Sequence, residues 1–483
     1  MKPIERSLAL FLVGATGDLS KKKILPAIYH LFSHGLLPEH FYVIGTARAA
    51  YTHEAFHEFV RSVVLPKQEA QWLEFCKHLY YVSGNVTDPQ TTLAIKKQYE
   101  ALEQCANHLW YVATLPQLYG DVVRNIKSAQ LHTTTYGWTK LMIEKPFGTD
   151  LESAQELNTE LLQVFDENSI YRIDHFLGKE TVQNLLAFRF ANGAFEHLWS
   201  WKFVDYITVT AAETLGVGGR TTFYDQTGAI RDIFQNHILQ MVAMSLMEEP
   251  ISLGAHHIDL RRQEFLKSLR PFTPATVASQ VKYGQYTKGT MHGAPVPGYL
   301  EEEGMPQNST TESAFACKMY ADTDRWQGVP IYVRLGKRMT RKVTDISIHF
   351  KEPFNQLFQK MGGQPRGNIL TLRITPNEGI IFRMHVKQPG LQLKVQEVPM
   401  RFYYKHVFQM DLLEAYVKLI HDAIQGDATL FPHASGIEEA WKFVQPLLER
   451  TKEADFKPEK YAAGTWGPAS FTSLITDDGK TWS

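Results

Sequence analysis

The sequence predicts an α/β Rossmann domain followed by a larger α+β domain with a mainly antiparallel β-sheet. Three observations carry that prediction. Near the N-terminus an apolar run leads straight into a glycine-rich turn and a helix-compatible stretch, the opening of a dinucleotide-binding βα unit. From about residue 200 onward, β-branched and alternating segments follow one another with few long helices between them, which favours hairpins over crossovers. At 483 residues the chain is also long for a single core. The expected division is residues 1–172 for the nucleotide-binding domain and 173–483 for the substrate-binding and dimerisation domain.

Leu8 to Val13 is continuously apolar and bounded by glycine, the pattern of a parallel strand buried on both faces. Gly14-Ala-Thr-Gly17-Asp-Leu-Ser20 follows, then a helical stretch from Lys21 to Phe32. Glycine at 14 permits a tight turn, glycine at 17 lets the backbone approach a pyrophosphate, and small Ser20 lets helix and strand pack closely. Unpaired N–H groups at the helix start favour the negative charge. Gly14, Thr16, Gly17, Asp18 and Leu19 are therefore the cofactor-binding candidates of this loop. The next strand, Phe41 to Ile44, ends in Gly45-Thr-Ala-Arg48. An NAD site wants an acid there for the ribose 2′-hydroxyl, whereas Arg48 suits a 2′-phosphate. NADP is the expected cofactor, with NAD left open as a secondary one. Further strands run over Leu109–Ala113 and Thr139–Ile143, the latter into Glu144-Lys-Pro-Phe-Gly148. Ligands of such sheets bind beyond the carboxyl ends of strands, which delivers Lys145 to the cofactor crevice.

Later strands are expected at Tyr206–Ala212, Ala316–Ala321, Pro330–Leu335, Asp345–Phe350, Ile369–Ile374, Ile380–His385 and Gln392–Val398. Helices are expected at Gly228–Met247 and Leu412–Ile424, and a mobile or partner-dependent loop at Thr287–Gly304. Basic and acidic residues nearly cancel, 50 against 51, so no global field favours nucleic acid or an anionic membrane. Cys76, Cys105 and Cys317 lie far apart without metal-ligand spacing, which reads as inert thiols and no metal site. Lys2, Arg6 and the apolar run after them imitate a secretion signal, but Asp18 and Lys21-Lys22-Lys23 stand where cleavage would occur. The expectation is a cytoplasmic protein without a membrane span.

Two stretches concentrate chemistry. Arg172-Ile-Asp-His-Phe-Leu-Gly-Lys-Glu180 sets a carboxylate, an imidazole and an ammonium within a few residues: His175 and Lys179 can grip a phosphate, and Asp174 can orient a base. On Ile230-Arg-Asp-Ile-Phe-Gln-Asn-His237, helical spacing puts His237 on the apolar face of Ile230, Ile233 and Phe234. Such a histidine is most often a core residue, but Asp232, Asn236 and the upstream Glu213 crowd the same region. Buried hydroxyls cost about 1–3 kcal/mol each when left unpaired, so these polar groups suggest a pocket for a polyhydroxylated ligand.

The Arg172–Glu180 block closely resembles the active-site signature of glucose-6-phosphate dehydrogenases. The Gly14–Ser20 fingerprint, the Glu144–Gly148 block, the Ile230–Gln240 helix, Val333-Arg-Leu-Gly-Lys337 and Tyr461-Ala-Ala-Gly-Thr-Trp-Gly-Pro468 occur in that family's order and spacing. The resemblance implies His237 as general base, Asp174 as its orienting carboxylate, and His175 and Lys179 as the phosphate-binding pair. It implies Glu213 and Asp232 as sugar-hydroxyl partners, Lys145, Lys337 and Lys342 as lysines lining the substrate site, and Arg48 facing the 2′-phosphate. The implied reaction is oxidation of glucose 6-phosphate to its 6-phospholactone with NADP, the first step of the oxidative pentose phosphate pathway, in a homodimer or homotetramer. Three departures stand out. Phe176 replaces the signature's usual tyrosine; Gly218 and Thr221-Thr222 stand where many members carry an acid and small residues; Val417-Lys418 follows Glu414-Ala-Tyr416 where a Glu-Arg pair is common. Two alternatives remain: an NADP-linked dehydrogenase of another aldose, and a non-catalytic NADP-binding regulator on the same fold.

Overall fold

The computed structural model describes residues 7–102, 105–353, 366–410 and 412–483; Lys2 and Arg6 lie outside them. The chain forms two compact units. One takes residues up to Lys179 together with Ile251–Asp259 and Leu413–Glu438; the other takes Glu180–Pro250, Leu260–Leu412 and Glu439–Ser483.

The first unit is built on six parallel strands: β1 (Leu8–Val13), β2 (Phe41–Ala47), β3 (Leu79–Ser83), β4 (Asn107–Val112), β5 (Thr139–Glu144) and β6 (Ile170–Ile173), in the order β3-β2-β1-β4-β5-β6. Every residue of β1 and β4 is buried, as their continuous apolar runs require of a sheet covered on both faces. Phe11 of β1 stacks on Trp110 of β4 with ring centroids 4.2 Å apart. The strand order reverses between β1 and β4, which opens a crevice beyond their carboxyl ends. The helix after the glycine turn differs from the plain α-helix expected: Ser20–Ile24 is π-helical, and the α-helix proper is Leu25–Ser33.

The second unit carries a nine-stranded mixed sheet. Its strands are β7 (Val204–Ala212), β8 (Val281–Thr287), β11 (Ala314–Met319), β12 (Ile331–Gly336), β13 (Val343–Phe350), β14 (Ile369–Thr375), β15 (Gly379–Lys387), β16 (Val395–Tyr403) and β17 (Glu459–Ala462). The order is β16-β15-β14-β13-β7-β12-β11-β8-β17. Most neighbours are antiparallel, as expected, but β7 with β12 and β8 with β17 run parallel. The expected loop over Thr287–Gly304 is more ordered than its composition suggested. It holds a small hairpin, β9 (Gly289–Met291) with β10 (Ala294–Val296), and a 3₁₀ turn at Tyr299–Glu301. The strand read at Gln392–Val398 begins at Val395 and continues to Tyr403. The single helix expected over Gly228–Met247 is instead a sequence of pieces. Gly228 turns the backbone at φ 66°, a π-helix spans Ile230–Ile238, and an α-helix continues over Leu239–Leu246. No helix among the described residues is long and apolar enough to cross a membrane.

Candidate functional site

In the parallel sheet the candidate residues sit at the carboxyl ends of successive strands. Gly14 follows β1, Arg48 follows β2, Lys145 follows β5 and Asp174 follows β6. Four strand spacings separate the β2 end from the β6 end, about 19 Å. Gly14 has φ +83°, and a Cβ there would fall 2.3 Å from the Ala113 carbonyl oxygen, so only glycine fits where the turn meets the end of β4. Gly17 is the opposite case. A Cβ would meet only the Gly14 oxygen, at 3.2 Å, so its outward side leaves room for a ligand's close approach. Ser20 donates its hydroxyl to the same Gly14 oxygen at 2.8 Å, locking the loop to the helix. This open cradle before a helix suits a dinucleotide pyrophosphate. Beyond β2, Arg48 is exposed, and the Tyr81 hydroxyl ties down the flanking carbonyls of Ala47 and Ala49 at 2.9 and 2.7 Å. The nearest following acid, Glu54, lies in the first turn of the helix His53–Val64.

At the β5 end, Glu144 is buried beneath Lys145. It accepts from the Tyr111 hydroxyl at 2.7 Å and from Tyr416 at 3.5 Å, while Tyr119 donates to its backbone oxygen at 2.8 Å. Burial pushes the Glu144 carboxyl up to about 7. The Tyr111 and Tyr416 phenols and the Lys145 ammonium pull it down, and the Asp174 charge adds to the rise. Glu144, Lys145 and Asp174 therefore form one electrostatic group. Asp174 is itself buried, and its Oδ1 accepts the Phe176 N–H at 2.9 Å, which fixes the turn that presents His175. His175 packs edge-on against Phe176 at 4.9 Å, and the Lys179 ammonium sits 4.2 Å from the Phe176 ring centroid. Phenylalanine thus still serves this turn as a cation–π platform. Two other signature residues are structural. Arg172 is fully buried and holds Glu167 at 2.7 Å and Asn158 at 3.0 Å. Gly178 is small because a Cβ would lie 2.9 Å from Leu419 of the helix Ala415–Gln425. Lys418 of that helix pairs with Asp422 at 2.5 Å, an intrahelical i,i+4 contact.

In the mixed sheet, parallel pairing of β7 with β12 brings their ends into register, Ala212 opposite Gly336. Glu213 and Lys337 follow them and join through a 2.6 Å ion pair, with Lys337 buried. Backbone bonds hold them: Glu213 N–H to Gly336 O at 2.9 Å and Lys337 N–H to Ser313 O at 3.0 Å. The Tyr461 hydroxyl donates to the Lys337 carbonyl at 2.6 Å, which gives the Tyr461–Pro468 motif its first structural job. Its Trp466 has a second, stacking 4.2 Å from the Arg334 guanidinium. Tyr224 lies with its ring 5.0 Å from the Lys337 ammonium. Burial, then the Asp232, Glu312 and Glu213 carboxylates, hold its phenol well above its usual range. Tyr224 is thus influenced electrostatically by both sugar-binding candidates, Glu213 and Asp232. His237, on the π-helix, is 1% exposed, so the buried face expected for it is kept despite the changed helix geometry. Lys342, by contrast, is exposed on the connection before β13.

Sequence reasoning missed Glu144, Tyr111, Tyr416, Tyr224 and Glu312. Each is a polar side chain buried by partners distant in sequence, and no spacing rule announces such residues. Glu144 alone carried a signal: an acid closing an otherwise apolar strand that is buried on both faces.

Comparison with known proteins finds matches over nearly the whole chain. The description "Glucose-6-phosphate dehydrogenase, NAD binding domain" matches residues 11–184, and "Glucose-6-phosphate dehydrogenase, C-terminal domain" matches 186–483. A glucose-6-phosphate 1-dehydrogenase from Aggregatibacter actinomycetemcomitans is 41% identical over 480 residues, covering 98% of this chain and 96% of the relative. One from Bacillus subtilis is 37% identical, covering 100% and 99%. Among solved structures, a glucose-6-phosphate dehydrogenase in complex with its substrate glucose-6-phosphate superposes with TM-score 0.91 at 31% identity, covering 100% of each chain. The enzyme from Mycobacterium avium gives 0.83 at 32%, covering 100% and 99%.

Proposed function

Because the chain belongs to the glucose-6-phosphate dehydrogenase family, we propose that it oxidises D-glucose 6-phosphate to 6-phospho-D-glucono-1,5-lactone, with NADP as the hydride acceptor. The observation that carries this reading is the Asp174–Lys179 turn, which follows β6 directly beside Lys145 at the end of β5, in a chain that matches its named relatives over their full length.

The anomeric carbon loses hydride only as its hydroxyl oxygen gains negative charge, so a base must take that proton in the transition state. His237 is that base, and Asp174 fixes its tautomer and stabilises the imidazolium. The burial of both groups supports these roles, because a base shielded from water keeps its proton acceptor directed at one partner. His175 and Lys179 anchor the phosphate, turning binding energy into alignment at the far carbon. Glu213 and Asp232 bond sugar hydroxyls, and Lys145, Lys337 and Lys342 complete the substrate site. Gly14, Thr16, Gly17, Asp18 and Leu19 cradle the pyrophosphate, Lys145 also lines the cofactor crevice, and Arg48 pairs with the 2′-phosphate, with NAD a weaker alternative. The proposal keeps residues 1–172 as the nucleotide-binding part and 173–483 as the part for substrate and dimerisation. It places the enzyme in the cytoplasm, as a homodimer or homotetramer, at the first step of the oxidative pentose phosphate pathway.

Absorbance at 340 nm, recorded with glucose 6-phosphate or glucose and with NADP or NAD, tests the reading. A rise that depends on the 6-phosphate and is steeper with NADP is expected. A rise with glucose alone would favour another aldose, and a flat trace with NADP bound would favour a regulator.

A further inference from the structure

We propose that Glu312 positions His237 by capping the π-helix that carries it. The proposal rests on the assignment of His237 as the base. Glu312 stands just before β11, 3% exposed, and its Oε1 accepts the N–H of Ile230, the first π-helical residue, at 3.1 Å. Its backbone oxygen accepts the preceding Ala229 N–H at 3.0 Å. One residue, distant in sequence, thus satisfies two successive donors at the mouth of the helix, groups a helix cannot satisfy internally. Gly228 is shaped to the same carboxylate: at φ 66°, a Cβ there would fall 2.4 Å from Glu312 Oε1.

The cap connects to the imidazole through the helix itself. After Ile230, the Arg231 carbonyl accepts from the Asn236 side-chain amide at 2.9 Å, and the Asn236 oxygen accepts the His237 N–H at 2.6 Å. A π-helix is wider and less favourable than an α-helix, so its register depends on such outside contacts. Without the Ile230 acceptor the first turn can tighten toward α geometry, rotating His237 about the helix axis. A rotation of this kind misdirects the base and shifts Asp232 of the same first turn, while the cofactor contacts of the glycine loop stay in place. Burial pushes the Glu312 carboxyl upward, with the Ile230 N–H the leading opposing influence. The cap requires an acceptor and no charge.

The test compares Glu312→Ala, Glu312→Gln and His237→Asn by steady-state kinetics with both substrates varied and thermal unfolding recorded. Glu312→Ala is expected to lower kcat at least tenfold with KM for NADP within threefold. Glu312→Gln, which keeps an oxygen acceptor, is expected to stay within threefold of wild-type kcat. A merely structural role would lower the melting temperature of Glu312→Ala and leave kcat per folded molecule unchanged, which overturns the proposal. So does an equal kcat loss in Glu312→Gln. Near-normal turnover in His237→Asn would overturn the base assignment itself, so the two failures are told apart. If Glu312→Ala does not fold, Glu312→Asp withdraws the acceptor by about 1.5 Å and must show the same kcat loss; unchanged kcat there also overturns the proposal.

Discussion

The two units present their candidate residues by different physical means. In the parallel sheet, Gly14, Arg48, Lys145 and Asp174 come next after strand ends, and strand register alone sets them in a row. In the mixed sheet, register does as much for Glu213 and Lys337. His237 and Asp232, however, ride on a π-helix whose course depends on buried polar partners. A strand-end site is local: each side chain can be lost with the backbone left in place. A helix-borne site is shared among distant residues. The proposed roles divide only in part the same way. The phosphate and cofactor grip belongs to the first unit and the base to the second, but Asp174 lies in the first and the sugar partners Glu213 and Asp232, with Lys337 and Lys342, in the second. Variants of the phosphate pair in the first unit should register mainly in KM, those of the base in the second in kcat.

The largest effect comes from the second unit. His237→Asn should lower kcat by about 10²–10⁴-fold, the range for loss of a general base, with KM for glucose 6-phosphate little changed; stopped-flow and steady-state rates would show it. Lys179→Ala should do the reverse in the first unit. Losing a hydrogen bond to a charged group, about 1.5–3 kcal/mol, raises KM for glucose 6-phosphate roughly 10- to 100-fold while kcat moves less. A Lys179→Ala enzyme with normal KM and depressed kcat would break the division between the units.

How much of each unit was legible in the sequence follows the same line. β1, the glycine turn and the β5 end could be read residue by residue, because a buried parallel strand is an unbroken apolar run and its chemistry comes immediately after it. The Rossmann domain followed by a larger, mainly antiparallel domain was likewise legible. The π-helix was not. Ile230, Ile233 and Phe234 share helical spacing with His237 and fit an α-helix, and the side chains that bond into the π-helix, Glu312 and Asn236, show no periodicity. The parallel pairs β7–β12 and β8–β17 were missed because strand composition carries no direction. The Glu213–Lys337 pair depends on the first of them.

Glu144 tests whether the first unit's row of strand ends is as independent as register makes it. Its folded value of about 7 lies above the ordinary 4.5, so folding favours the neutral form. That contribution is fully present below about pH 4.5 and is lost as pH rises through about 7. On the order of 3 kcal/mol of stability should therefore disappear across that window. Glu144→Gln, neutral throughout, should flatten the loss, as urea unfolding at about pH 5 and about pH 8 would reveal. An unchanged slope would mean that the carboxyl is ionised in the folded protein across the range, with the Lys145 ammonium compensating its charge.

The smallest effect is the most specific to this chain. The family signature's usual tyrosine is Phe176 here, and its ring supports the Lys179 ammonium at 4.2 Å. Phe176→Tyr keeps that platform, since a phenol ring attracts a cation much as benzene does, and adds one donor beside His175 and Lys179. If that donor reaches the phosphate, KM for glucose 6-phosphate should fall about three- to tenfold with kcat unchanged, a gain of about 1 kcal/mol. The same variant should leave activity toward unphosphorylated glucose where it was, because the new hydroxyl has nothing there to bond. A KM that stays put would mean the phosphate is already fully paired without the hydroxyl. A gain with both sugars would place the hydroxyl away from the phosphate, and would turn the first unit's division of labour against the roles of His175 and Lys179.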